Sequence, residues 1–430
     1  MKEKYIINAN IIDPKNNLQE TGGIIINGKG EVKAIGKKVT KLNIPKNAEV
    51  YDAKKNYIFP GIIDMRVFVG EPGFEYKENF HTLSNAALSG GVTSVVSMPN
   101  TSPVIDNVSM VDFIKRRGRD KSKINIFPCA TLTKNIDGKN MTELGLLKKK
   151  GIIAFTDGLK SIQNSNIMSR IMKYANDIDA LIIQHAEDSY LSAEGLINEG
   201  EISTRLGLEG IPDIAEKIIV ERDLSLLENS FCRYHISQIS SAKTIEVVRK
   251  NKNSGKKFSC GVSINNLSLN ENDIGDFRTF LKLSPPLRTE EDRLSLIKGL
   301  NDNTIDNIVS DHKPEDEESK RLTFAKAATG ASGIETLLPL ALELYHNKLV
   351  SLKTIISSLT VNPAKILGLD KGHLKTGADA DLSIVDINKP WIVKKEKLIS
   401  KSKNTSIENR KLQGQVLRTY IKGDLLFNRS

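Results

Sequence analysis

The sequence predicts an α/β protein: a parallel (β/α)8 barrel of the TIM type carrying a small composite β domain formed by both termini. Three observations predict it. The middle of the chain alternates short apolar runs with helical patterns. The two ends share short β-branched runs broken by Asn, Gly and Pro. The length of 430 residues suits one large barrel plus a smaller unit, and 39% hydrophobic residues suffice for a sizeable core.

The terminal runs are "KYIINANIID", "GGIIINGKGEVKAIG" and "AEVYDAKKNYIFP" at the start, then "GADADLSIVDINKPWIV" and "GQVLRTYIKGDLLF" at the end. They place a composite β domain over 1–55 and 366–430, with the barrel over 56–365. Within the barrel, "VTSVVSMPN", "KINIFPCATLT", "GIIAFTDG", "ALIIQHAED", "CRYHISQIS", "KFSCGVS" and "TIDNIVSDH" are short apolar runs that end in polar residues. Between them, "MVDFIKRRGRD", "NIMSRIMKYANDI" and "SAKTIEVVRKNK" carry helical spacing. An open doubly wound sheet is the alternative, but no GxGxxG follows the first strand. Barrels of this kind place their chemistry at the carboxyl ends of the strands. Those positions hold Arg66, Phe68, Asn100, Asp157, His185, Gln238 and Asp311.

The net charge of +10 is spread along the chain. Its densest stretches, "KKVTKLNIPK" and "VKKEKLISKSK", lack interleaved aromatics, so a solvated surface is expected first, an acidic protein partner second and nucleic acid a distant third. Cys129, Cys232 and Cys260 form no CxxC pair, as suits a reducing compartment. The start has no signal-peptide apolar region, and no apolar run approaches the roughly 20 residues that span a bilayer. A cytoplasmic location without membrane contact is the expectation.

The strand ends taken in order resemble the dihydroorotase branch of the amidohydrolase superfamily, in its bacterial, complex-forming type. The strongest stretch is "FPGIIDMRVFVGEPGFEYKENFHTLSNAALSGGVTSVVSMPNTSPVIDN", where the family pattern reads HxHxR, EPG, a Gly-Gly helix end and MPNT. Further matches are "AFTDG", "QHAED", "YHISQIS", "LSPPLR", "IVSDHKP" and "NPAKILGLDKGHLKTGADADLSIVD", so the resemblance covers nearly the whole chain. It implies a metal-activated hydroxide that cleaves or closes a ring amide.

The resemblance also implies a ligand set, and this chain departs from it. The HxH pair falls on Arg66 and Phe68, the bridging acid on Asp157, the further histidines on His185 and Gln238, and the last aspartate on Asp311. Arg is a fixed cation without an acceptor, Phe has no donor atom, and Gln offers only a neutral oxygen. Zinc needs nitrogen, sulfur or carboxylate ligands, so the expectation is no cofactor or a weakly bound zinc. Residual ligands for a single metal would be Asp157, His185 and Asp311, with Asp311 the catalytic group if activity survives. On the substrate side, the family's carboxylate-binding Arg falls on Gly70, its Asn before "PPLR" on Ser284, and its His after "DHxP" on Glu315. Asn100 of "MPNT" keeps its substrate-binding identity.

Structural readings stand beside these. Asp157 can cap the next helix, and His185 can be a core histidine bonded to Asp311. Arg66 can pair with Asp157 or Asp311 in place of the cation, with Phe68 filling the volume. His235 reads as a buried strand histidine; His81, His346 and His373 carry no constellation. Three functions are open. The first is a non-catalytic dihydroorotase homologue of pyrimidine biosynthesis that assembles with aspartate carbamoyltransferase and with further copies of itself. The second is an altered dihydroorotase or related cyclic amide hydrolase with at most one metal. The third is a small-molecule sensor using the vacated pocket.

Overall fold

The computed structural model describes residues 2–39, 44–45 and 48–429. Lys41 and Lys46 of the first basic stretch lie outside the described residues. Eight parallel strands form the barrel: Ile62–Val67, Val92–Ser97, Asn125–Ala130, Ala154–Phe155, Leu181–Gln184, Arg233–Ile239, Ser259–Ser263 and Asn307–Val309. Each pairs with the next in sequence, and a parallel bridge between Val67 and His312 closes the ring. The strands read as continuous apolar runs because helices and the barrel interior bury both faces.

The helices between them start where the sequence supplies acceptors for orphan N–H groups. Asn107 caps Val108–Lys121, Asn164 caps Ser165–Asp177, and Ser241 caps Ala242–Asn253. The apolar stripes of these helices, such as Met168, Ile171, Met172 and Ala175, pack onto the strands.

Both termini contribute to one further eight-stranded sheet, in which Leu382–Ile392 and Lys411–Ile421 join the strands of the first 60 residues. The sheet extends past residue 55. Tyr57–Pro60 runs parallel to Lys4–Asp13 and antiparallel to Leu382–Ile392, and so bridges the two terminal segments. No helix among the described residues is long and apolar enough to cross a membrane.

Candidate functional site

The strand ends meet at the carboxyl mouth of the barrel, and Arg66 occupies its centre. Its Nε donates to Asp311 Oδ1 at 3.0 Å, and its Nη1 donates to Ser237 Oγ at 2.9 Å and to the Gly158 carbonyl at 3.5 Å. The guanidinium thus ties together four strand ends. Asp311 sits at φ +51°, an uncommon backbone region for a non-glycine residue. Burial raises its carboxyl above the usual range, with Arg66 and Gln238 opposing that shift.

Of the two partners expected for Arg66, only Asp311 takes the role. Asp157 points into its own rim instead: it accepts from the Leu132 and Thr133 amides at 2.8 and 3.1 Å and from Thr133 Oγ1 at 2.5 Å. It caps a loop, not the helix that follows. Burial pushes its carboxyl up to about 6 against those bonds.

His185 is buried but does not reach Asp311. Neither ring nitrogen has a hydrogen-bond partner among the described residues, and Nε2 lies 3.8 Å from Glu187. Burial works against the charge on Glu187, yet the neighbouring His185 and Ser192 hold its carboxyl below the usual range. Asp157, His185 and Asp311 are therefore not assembled around one point. Among the described residues no group of three or more His, Cys, Asp or Glu side chains is placed to hold a metal ion. The residues do not fit the binuclear centre that the resemblance implies, because a fixed cation bonded to Asp311 stands where the metal would be.

The other altered positions have structural occupations. Phe68 is buried and packs its ring 5.9 Å from that of Phe74. Gln238 Nε2 donates to the Ser284 carbonyl at 3.0 Å, so two departures from the family pattern meet each other. Gly70 has φ +80°, and a Cβ there would lie 2.5 Å from the Glu78 carbonyl oxygen. An arginine cannot occupy this backbone as it stands. Glu315 takes Lys77 Nζ at 2.5 Å and Lys313 Nζ at 3.5 Å. Asn100 lines the remaining space with Arg66, Phe68, Met98 and Lys313, and that space is about 20 Å³. A volume of this size holds about one water molecule.

Sequence reasoning missed two features. Ser237, the neighbour of Gln238, is the residue that meets Arg66. His312, beside Asp311 in "DHKP", accepts from the Gly333 and Ile334 amides at Nδ1 and turns Nε2 to Glu78 at 3.6 Å. The full "DHKP" motif was the available signal for it. The remaining histidines behave as structural groups. His235 bonds Ser259 Oγ at 2.8 Å, and burial lowers its pKa to about 3. His373 meets Asp370, His346 meets the Ile387 carbonyl, and His81 lies beside Asn85.

A closed (β/α)8 barrel with a two-terminus β domain and its polar centre at the strand ends is the architecture of amidohydrolase-type proteins. L-Hydantoinase (dihydropyrimidinase) from Arthrobacter aurescens superposes with a TM-score of 0.88 at 22% identity, over 100% of this chain and 96% of that one. The Dihydro-orotase-like family model matches residues 55–244. A dihydroorotase of Ehrlichia canis (strain Jake) is 42% identical over 97% of this chain and 93% of its own length. That of Geotalea daltonii is 39% identical over 99% of both. The chain belongs to the dihydroorotase family.

Proposed function

We propose that this member of the family has no dihydroorotase turnover of its own and serves as a structural partner of aspartate carbamoyltransferase. One observation carries the reading: the barrel centre is filled from within. Arg66 is fixed on Asp311, Ser237 and Gly158, Phe68 packs beside it, and about 20 Å³ remains. A ring amide needs a site of several hundred Å³. It also needs a polarising group at the carbonyl and a clamp on its carboxylate. Gly70 cannot supply the clamp, and Glu315 is spent on lysines. Meanwhile the motifs that hold the scaffold, "EPG" and "KEN", remain fully bonded, as an assembly subunit requires.

The test is coexpression with the aspartate carbamoyltransferase of the same source, followed by sizing, a dihydroorotate assay and elemental analysis. The expected result is a co-eluting complex, substoichiometric zinc that chelator removes without unfolding the chain, and no turnover by this chain alone. A kcat of roughly 1 s⁻¹ or more from the isolated chain would establish the altered-hydrolase reading instead, and two tightly held zinc ions per chain, as in a binuclear site, would overturn both readings of the centre.

A further inference from the structure

A cleft lies away from the barrel mouth, in the joint between the composite β domain and the barrel wall. It encloses about 600 Å³. Its walls come from Leu382–Ile392, Lys411–Ile421 and the segment 394–399 on one side, and from Ser89, Glu335 and Pro339 on the other.

Its charge is one-sided. Lys389, Lys394, Lys397 and Arg429 line it, and none of the four is in an ion pair among the described residues. Lys394 Nζ meets only the Asn409 side-chain oxygen at 2.8 Å, and Arg429 Nε donates to the Val416 carbonyl at 2.9 Å. The single lining acid, Glu335, is already engaged. It accepts from the Ile399 and Ser400 amides at 2.9 Å and from Ser89 Oγ at 3.3 Å. Burial raises its carboxyl pKa against those bonds.

The surface beside the cations is apolar. Ile392 and Ile399 are 43% and 39% exposed, although each is a large aliphatic side chain. Trp391, the one tryptophan of the chain, lines the same cleft with its Nε1 bonded to the Gly414 carbonyl at 2.9 Å. Apolar groups ringed by charge are the usual make-up of a protein interface. A small free anion would satisfy the lysines and leave both isoleucines wet. A second copy of this chain would bring the same cations against these and be repelled.

We propose that this cleft docks an acidic segment of the partner protein, with an apolar side chain seated between Ile392, Ile399 and Trp391 and carboxylates on Lys389, Lys394, Lys397 and Arg429. The inference rests on the assembly reading given above, and the partner is the carbamoyltransferase named there.

The position of Trp391 supplies the readout. Fluorotryptophan incorporated into this chain alone gives one fluorine resonance, from inside the cleft. Adding unlabelled carbamoyltransferase should shift that resonance. The combined substitution Lys389→Glu, Lys394→Glu and Lys397→Glu should weaken binding at least tenfold with an unchanged melting temperature. Reversing the exposed Lys29, Lys121 and Lys326 in the same way should leave affinity within twofold. Binding of the wild type should weaken as salt rises, because exposed charge attraction is screened. A complex that forms with an unmoved resonance, or equally well with the cleft variant, overturns the cleft and leaves the assembly reading standing. A wild-type chain that binds no carbamoyltransferase overturns both. Self-association that the cleft variant abolishes assigns the cleft to a second copy and likewise overturns the inference.

Discussion

The centre of the barrel and the ring of loops around it were built from the same stretch of family motifs, yet they have fared differently. In the ring, the motif acids retain full sets of partners. Glu71 of "GEPG" accepts from Arg117 Nε and Nη2 and from the Phe80 amide. Glu78 of "YKEN" accepts from Thr82 Oγ1, the Asn79 amide, Ser400 Oγ at 2.6 Å and the Lys401 amide at 3.2 Å, with His312 beside it. In the centre, several buried polar atoms have no hydrogen-bond partner among the described residues: both nitrogens of His185, Oδ1 of Asn100 and Oε1 of Gln238. The acids that hold loops in place are bonded; several polar groups at the centre are not. A buried unpaired polar atom costs roughly 1–3 kcal/mol, a cost concentrated in the centre, although His312 Nε2 beside Glu78 in the ring is likewise without a hydrogen bond among the described residues.

The largest effect is expected in the ring. Glu78→Ala leaves Ser400, Thr82 and His312 facing an empty place and removes two of the bonds that hold the 400–404 segment to the barrel. Removing one member of a buried charged network costs roughly 3–5 kcal/mol. Thermal and urea unfolding should show a loss at the top of that range. A loss below about 1 kcal/mol, the worth of an exposed pair, would erase the distinction between ring and centre.

Arg66→Ala comes next. It leaves Asp311 without its cation and should cost about 3 kcal/mol at pH 8. Burial already raises the Asp311 carboxyl in the presence of Arg66. Without it the acid takes up a proton more readily, so the penalty should shrink as pH falls towards 5. Unfolding curves at the two pH values check this. A variant as stable as wild type at pH 8 would show that the guanidinium does not replace a metal in holding the strand ends together.

These two sites also show how far the sequence could be read. Strand–helix alternation and the matching texture of the termini disclosed the barrel and its composite domain. They did so because burial on both faces and β-branched pairing leave local marks. The boundary at 55 fell short because Tyr57–Pro60 earns its place by pairing with Leu382–Ile392, more than 300 residues away. At the centre, Arg66 with Asp311 was one of two pairings that charge allowed, and it is the one that forms. What could not be read was direction. Asp157 turns to Leu132 and Thr133, and Glu315 turns to Lys77, through loops whose course no local pattern encodes. His312 was overlooked because its partners, Glu78 and the 333–334 amides, are assembled only by closure of the barrel.

A smaller effect sharpens the comparison through pH. Asp64, between ring and centre, accepts from the Arg66 and Ser310 amides at Oδ1, and its Oδ2 has no hydrogen-bond partner among the described residues. Burial raises its carboxyl from 3.8 to about 6. The folded chain therefore holds this proton more tightly than the unfolded one. The stabilisation is complete below pH 3.8 and is lost as pH rises through about 6. Asp64→Asn removes the dependence, so its stability relative to wild type should improve by roughly 2–3 kcal/mol between pH 4 and pH 8. Asp157, raised to the same region, leaves some slope in the variant. Parallel stability curves for the two proteins would mean that Asp64 is ionised throughout.

The smallest effect is the one that separates a remnant from a working residue. Asn100 keeps the "MPNT" motif, lies at the strand-end centre, and has its Oδ1 buried without a partner among the described residues. In a functioning site such an atom waits for substrate. In a filled site it is an unpaired acceptor, and an apolar group of similar shape is as good or better. Asn100→Leu should therefore change unfolding free energy by less than about 1 kcal/mol, with either sign, and leave carbamoyltransferase binding intact. The about 20 Å³ beside it limits the strain of the bulkier methyl groups. Stability falling by more than about 2 kcal/mol would show that Asn100 makes bonds the ring depends on. Stability held while a measurable dihydroorotate turnover vanishes would show that the centre still binds substrate, and the contrast between a retained ring and an abandoned centre would fail at its weakest point.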